Sequence, residues 1–169
     1  ADIGYSRNVV IREAMTALGF ELGDFRPRCS KLGGLEALLK RVESPDAVWV
    51  GCFRQRDVAA AASWAHRRGI PVVFDPLISQ YDKAVNEFKK FSFSSAKAKR
   101  LLKREQRLFS RADIVVADTV AHADYFHEVL GVPREKIKII YVGADSHFVP
   151  AEEKNSGGEF LRVLFYGSF

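Results

Sequence analysis

The chain has 169 residues and a mass of 19.0 kDa, the size of one domain that buries roughly 70% of its unfolded surface without disulfide or metal staples. A composition of 47% hydrophobic and 28% charged residues excludes disordered, fibrous and repetitive classes. No stretch approaches the ~18 consecutive apolar residues of a membrane span, and Arg7, Arg12 and Glu13 interrupt any apolar signal core at the N-terminus.

The formal charge of +5 and sequence pI near 9.3 favour an acidic partner. Charge alone admits a nucleotide, a phosphorylated acceptor, an anionic membrane face or a nucleic acid. Cys29 and Cys52 are too few for a disulfide framework and lack a second pair for a metal site, so they read as reduced residues of cytosolic type.

Ser6 to Leu18 places Val9, Val10, Ala14, Met15 and Leu18 on one face, predicting a helix with Ser6 or Asn8 as cap and Gly19 just past its end. No strand precedes it, so the chain is expected to open one element into an α/β pattern. Phe20 to Phe25 alternates weakly and predicts a strand. Leu32, Leu35, Leu38, Leu39 and Val42 form a helical stripe, and Ala47 to Phe53 is a continuous apolar run of the kind buried on both faces of a parallel sheet. Asp57 is expected to cap the next helix, whose small residues Ala61, Ala62 and Ala65 allow close packing on a sheet.

Ile70 to Phe74 is a further buried strand delivering Asp75-Pro76. The region from Leu77 to Arg111 is polar and basic, ending in a helix near Ala96 to Phe109 in whose apolar stripe Glu105 is the exception. Asp113 to Ala117 is a strand, Thr119 caps a helix carrying Phe126 and Leu130, and Gly131-Val132-Pro133 ends it. A last strand runs through Ile137, Ile139, Ile140 and Val142 to a turn at Gly143. This order predicts an α/β fold, a doubly wound parallel sheet of Rossmann-like type with right-handed crossovers. Its domain covers residues 1–150, a polar linker 151–159, and the apolar run 160–169 opens a second domain.

Ligands of open α/β sheets lie beyond the carboxyl ends of the strands, where loops meet helix N-termini. The candidate stretches there are Gly4, Tyr5, Ser6, Arg7 and Asn8, where helix amides and Arg7 suit a phosphate or sugar hydroxyl; Arg26 to Arg28; Phe53 to Arg56, with Arg54; Asp75 to Tyr81; Asp118 to His122, with Thr119; and Gly143 to Asp145. Asp75 either bonds a substrate hydroxyl or serves as a base, or else caps a neighbouring turn. His122 is either catalytic or a solvated first-turn residue. No Asp-x-Asp occurs and no His/Cys/Asp/Glu group has metal-ligand spacing, so no metal and no cofactor are expected. The cations from Lys89 to Arg111, interleaved with Phe88, Phe91 and Phe93, read either as a peripheral membrane contact or as a solvated helix face. With no aromatic-bearing surface sheet and no recognition helix, nucleic acid is not expected as a partner.

Four blocks carry a resemblance. Gly4-Tyr5-Ser6-Arg7-Asn8 resembles the loop and first helix, often GYPRN, of glycosyltransferase family 4, the retaining nucleotide-sugar-dependent group with the GT-B fold. Ala112-Asp113 to His122 resembles its strand and helix start, Val142 to Asp145 with Phe148 and Pro150 the block closing its N-terminal domain, and Arg162 to Ser168 the first strand of its C-terminal domain. The resemblance implies the N-terminal, acceptor-side half of a GT-B enzyme, which transfers a sugar from a nucleotide-diphosphate donor to a carbohydrate or lipid-linked acceptor in cell-envelope polysaccharide or glycolipid synthesis. It also implies a cytoplasmic protein, peripheral at the inner membrane face, with Asp75 nearest the reaction centre. The family's donor-binding residues would follow Phe169, so this stretch is not expected to be competent alone. The alternative is a non-catalytic nucleotide- or carbohydrate-binding module.

Overall fold

The computed structural model of the chain describes residues 4–144. Asp145, Phe148, Pro150, the expected linker and the expected strand beyond it lie outside the described residues. Four parallel strands, β1 (Val48–Val50), β2 (Val72–Phe74), β3 (Ile114–Ala117) and β4 (Ile137–Ile139), form one sheet in the order β1-β2-β3-β4. With flanking helices this is the expected Rossmann-like α/β sheet. The strand order runs with the sequence.

The helices are α1 (Ser6–Ala17), α2 (Gly33–Leu39), α3 (Val58–His66), α4 (Gln80–Asp82), α5 (Ala96–Phe109) and α6 (Val120–Glu128). The pairings Val48↔Val72, Val50↔Phe74, Phe74↔Val115 and Val115↔Ile137 align alternate residues on one face. There they meet Ala62 and Ala65 of α3, Phe109 of α5 and Phe126 of α6 in a single core. Phe74, Phe109 and Phe126 pack edge to face, with centroids 5.1 Å apart at each step, which ties β2, α5 and α6 together. On the opposite face the row Trp49, Val73, Ile114 is only half-buried.

Several expectations hold to within a residue or two: α1, α5, α6, β2 and β3; β1 and β4 begin where expected but end three residues short, at Val50 and Ile139. Thr119 caps α6, its Oγ1 accepting from the His122 amide at 3.1 Å. Gly19 follows α1 with φ +84°, the left-handed conformation that ends a helix at least cost in glycine.

Three expectations need correction. Residues 20–25 form no strand, because no described strand offers them a ladder; Phe20 is exposed and Asp24 instead pairs with Arg12. The leucine stripe of α2 does not face the core: Leu32, Leu35, Leu38 and Leu39 are 53–73% exposed, and the packed face is Gly33 and Ala37 against α3. Close approach decided this, since a Cβ on Gly33 would lie 3.2 Å from Pro27 and one on Gly34 would lie 3.3 Å from the Ala60 carbonyl. The residues capping α1 and α3 also differ. Tyr5 precedes α1 without a side-chain cap, and the Asp57 carboxylate pairs with Arg54 rather than with the helix amides.

Glu105 explains itself in the fold. It is 2% exposed and accepts from Ser79 Oγ at 2.5 Å, the Gln80 amide at 2.8 Å and the Tyr81 amide at 2.9 Å. A charge in the middle of an apolar stripe thus anchors the loop after β2 to α5. That loop continues from α4 into a π-helix, Lys83–Glu87, and is entered through Leu77 at φ +61°.

Candidate functional site

The carboxyl ends of the strands converge with the start of α1. Ladder bonds set this edge: the Asp75 amide donates to Val50 O at 2.9 Å, and the Ile140 amide to Ala117 O at 2.9 Å. Arg7, on the first turn of α1, lies across these ends and is 2% exposed. Its Nε donates to both Asp75 oxygens, at 3.0 and 2.8 Å, and its Nη1 to the Ile140 carbonyl at 2.9 Å. One guanidinium therefore clamps α1 to β2 and to the end of β4. Its Nη2 is buried and has no hydrogen-bond partner among the described residues.

Asp75 stands where expected, at the end of β2, and is fully buried with its carboxylate turned onto Arg7. Burial pushes its carboxyl above the ordinary range; the Arg7 charge and hydrogen bond, with the Cys52 thiol, draw it back without cancelling the rise. Burial, reinforced by the Asp75 charge, pushes the Cys52 thiol up to about 12, so at neutral pH Cys52 is a hydrogen-bond donor and not a nucleophile.

Asn8 completes this cluster. Its Oδ1 accepts from the Cys52 amide at 3.3 Å, an approach that requires glycine at position 51, where a Cβ would lie 2.9 Å from the same oxygen. Beside the start of α1, Tyr5 and Phe53 meet edge to face with centroids 5.0 Å apart. Phe53 occupies the third position of the turn closed from the Arg54 amide to Gly51 O, with φ +62°. For a bulky residue that conformation costs on the order of 1–3 kcal/mol. Gly143 brings the end of β4 back toward α1, 3.9 Å separating the place of its Cβ from Val10.

The remaining expected residues form separate pairs at the same sheet end. The Arg54 Nε pairs with the Asp57 carboxylate and is thereby neutralised within its own helix start. The Asp118 carboxylate pairs with His122 Nδ1, the ring lying stacked on Phe126 at 6.0 Å. His122 is thus oriented by a carboxylate, which leaves Nε2 as its second nitrogen. Gly4 and Ser6 lie at the start of α1, and Asp145 is outside the described residues. Chemically, the edge offers a buried guanidinium with a donor to spare, a carboxylate-held imidazole, and two open aromatic rings.

Phe53 opens the candidate stretch Phe53 to Arg56, whereas Cys52 and the Ile140 carbonyl were not singled out as site residues by sequence. The Gly51-Cys52-Phe53 turn at the close of a strand run was the available signal for Cys52; a backbone carbonyl has none.

Residues 10–143 match the sequence profile of the family described as Glycosyl transferase 4-like domain. The match begins within α1, just past Asn8, and spans all four described strands. A comparison with curated proteins finds no match. The parallel sheet, its flanking helices and a family match over most of its length make one assignment: the chain belongs to the glycosyl transferase 4-like family.

Proposed function

We propose that the chain is the acceptor-side half of an enzyme that moves a sugar from a nucleotide-diphosphate donor to a carbohydrate or lipid-linked acceptor of the cell envelope. The observation that supports this most is the clamp of Arg7 on Asp75 and Ile140 O at the carboxyl ends of a glycosyl transferase 4-like sheet. In an open α/β sheet that edge is where ligands bind. Arg7 brings to that edge a positive charge and a donor without a partner among the described residues, the chemistry a diphosphate or a sugar oxygen demands. Asp75 acts as a positioning residue that holds Arg7, and the Asp118–His122 pair supplies an oriented imidazole to a substrate hydroxyl.

No metal enters this reading. The test is release of nucleotide from UDP-glucose, UDP-N-acetylglucosamine and GDP-mannose by the full-length protein, with and without EDTA. Turnover of one donor that survives EDTA is expected. Absence of binding and turnover across a wide donor panel would sink the transfer reading.

The acceptor is read as membrane-borne, the protein docking peripherally at the cytoplasmic face. Among the described residues no helix is long and apolar enough to cross a membrane. All nine Lys and Arg residues from Lys89 to Arg111 are exposed, and none forms an ion pair among the described residues. Arg100, Lys103, Arg104, Arg107 and Arg111 line one hollow beside Ala59 and Leu108. Phe88 and Phe93, 50% and 75% exposed, supply apolar contact nearby. Each cation near an anionic surface contributes about 1 kcal/mol. The variant Arg100→Glu/Lys103→Glu/Arg104→Glu is therefore expected to lose about a hundredfold in binding to phosphatidylglycerol vesicles, measured by flotation. Equal binding of the wild type to pure phosphatidylcholine would contradict this docking.

A further inference from the structure

Phe53 and Leu77 share one oddity and differ in what offsets it. Each is a bulky residue in the left-handed region, φ +62° and φ +61°, where glycine or asparagine would sit without strain. Leu77 is 7% exposed, so packing holds it there. Phe53 is 42% exposed and, among the described residues, meets one ring, that of Tyr5, itself 38% exposed. The other non-glycine residues at positive φ, Arg41 and Lys89, are charged and lie just past helical segments, where this conformation is an ordinary way to end a turn. Phe53 instead closes a strand at the ligand-binding edge. The fold needs the turn there but not the ring.

The two rings stand at an interplanar angle of 77°, one edge against the other's face, and so form a corner with two open aromatic walls. The two rings adjoin a buried polar cluster in sequence: Cys52, the neighbour of Phe53, donates its amide to Asn8, and Arg7 follows Tyr5 by two residues. A flat apolar wall half open to solvent suits a ligand that presents polarised C–H groups on its face and keeps the oxygens of its rim in water. A pyranose ring has this character, because its axial C–H bonds pack on the electron-rich face of an arene while its equatorial hydroxyls point outward.

We infer that Tyr5 and Phe53 form the walls of a subsite for a pyranose ring, an inference that rests on the sugar-transfer reading and adds where the sugar sits. The ring comes either from the nucleotide sugar or from the acceptor, and both present the same C–H face. The left-handed turn at Phe53 is the means of presentation: it projects the ring out of the sheet edge rather than into the core.

The test uses the full-length protein and the variants Phe53→Gly, Phe53→Tyr and Tyr5→Ala. Thermal unfolding is measured with binding of UDP-glucose, GDP-mannose, UDP and GDP, and with saturation-transfer NMR of methyl α-glucoside and methyl α-mannoside. Phe53→Gly is expected to keep or raise Tm, because glycine adopts the turn freely, while losing tenfold or more in sugar binding; Phe53→Tyr should retain both. Loss for the sugar nucleotides with UDP and GDP unchanged assigns the ring to the donor, whereas loss of methyl-glycoside saturation transfer alone assigns it to the acceptor. The subsite is overturned if Phe53→Gly binds every sugar as the wild type does, or if its Tm falls by several degrees, which would make the ring a packing element. A wild type that binds no nucleotide sugar at all refutes the transfer reading itself, an outcome distinct from either of these.

Discussion

Replacing Arg7 with methionine is expected to lower Tm by about 10 °C. The Asp75 carboxylate is fully buried, and Arg7 is the cation that compensates it. Removing one partner of a buried pair strands a charge at low dielectric, which costs about 3–5 kcal/mol, and each kcal/mol shifts a domain of this size by roughly 2–4 °C. The effect has a defined pH dependence. Burial already raises the Asp75 carboxyl above its unfolded value, and without Arg7 burial is opposed only by the weaker hydrogen bonds of the Cys52 thiol and the Leu77 amide, so its folded pKa rises further. A carboxyl raised on folding supports stability below its unfolded pKa and loses that support as pH rises through the folded value. The penalty of Arg7→Met is therefore larger at pH 7.5 than at pH 5.

The double variant Arg7→Met/Asp75→Leu separates scaffold from function. A buried ion pair replaced by apolar side chains of similar volume is often neutral to stability. Recovery of most of the lost Tm is expected, together with continued failure to bind nucleotide sugars in an equilibrium titration. A double variant that binds as the wild type does would reduce the clamp to a structural element and remove Arg7 from the site.

Glu105→Ala is expected to cost about 3 kcal/mol and to loosen one loop more than the rest of the molecule. The carboxylate collects Ser79 Oγ and the amides of Gln80 and Tyr81, and hydrogen bonds to a charged group contribute about 1.5–3 kcal/mol each before relaxation. Its loss leaves three donors without an acceptor in a part-buried setting. Hydrogen exchange should quicken across residues 79–90 while β1 and β3 stay protected. Glu105→Gln, which keeps one carbonyl oxygen, should fall between. Uniform acceleration of exchange would show that Glu105 acts on global stability and not on the loop.

Much of the fold was legible because its signals are local. The apolar runs Ala47 to Phe53 and Ile70 to Phe74 announce strands, though one face of each is only half-buried, Thr119 announces a helix start, and Gly19 and Gly131 announce helix ends. Where a local pattern depends on a distant partner, it misleads. Phe20 to Phe25 alternates like a strand, yet a strand exists only with a neighbour to complete its ladder. The leucines of α2 have helical spacing, yet α2 meets α3 through Gly33 and Ala37, because small residues allow the backbones to approach. Glu105 was visible as an anomaly, a charge in an apolar stripe, without its partners 24 to 26 residues earlier being visible.

The site shows the same division. By its own residues the sequence placed Arg7 at a helix start, Asp75 at a strand end and the Asp118–His122 spacing on one turn, because caps, periods and turn residues act over a few positions. Only the tertiary structure decided that Arg7 and Asp75, 68 positions apart, face each other, and that Arg54 turns to Asp57. It alone decided that Tyr5 and Phe53 meet beside the start of α1. Strand register and helix docking set those meetings through the burial of a common core, and no short stretch of sequence contains that information.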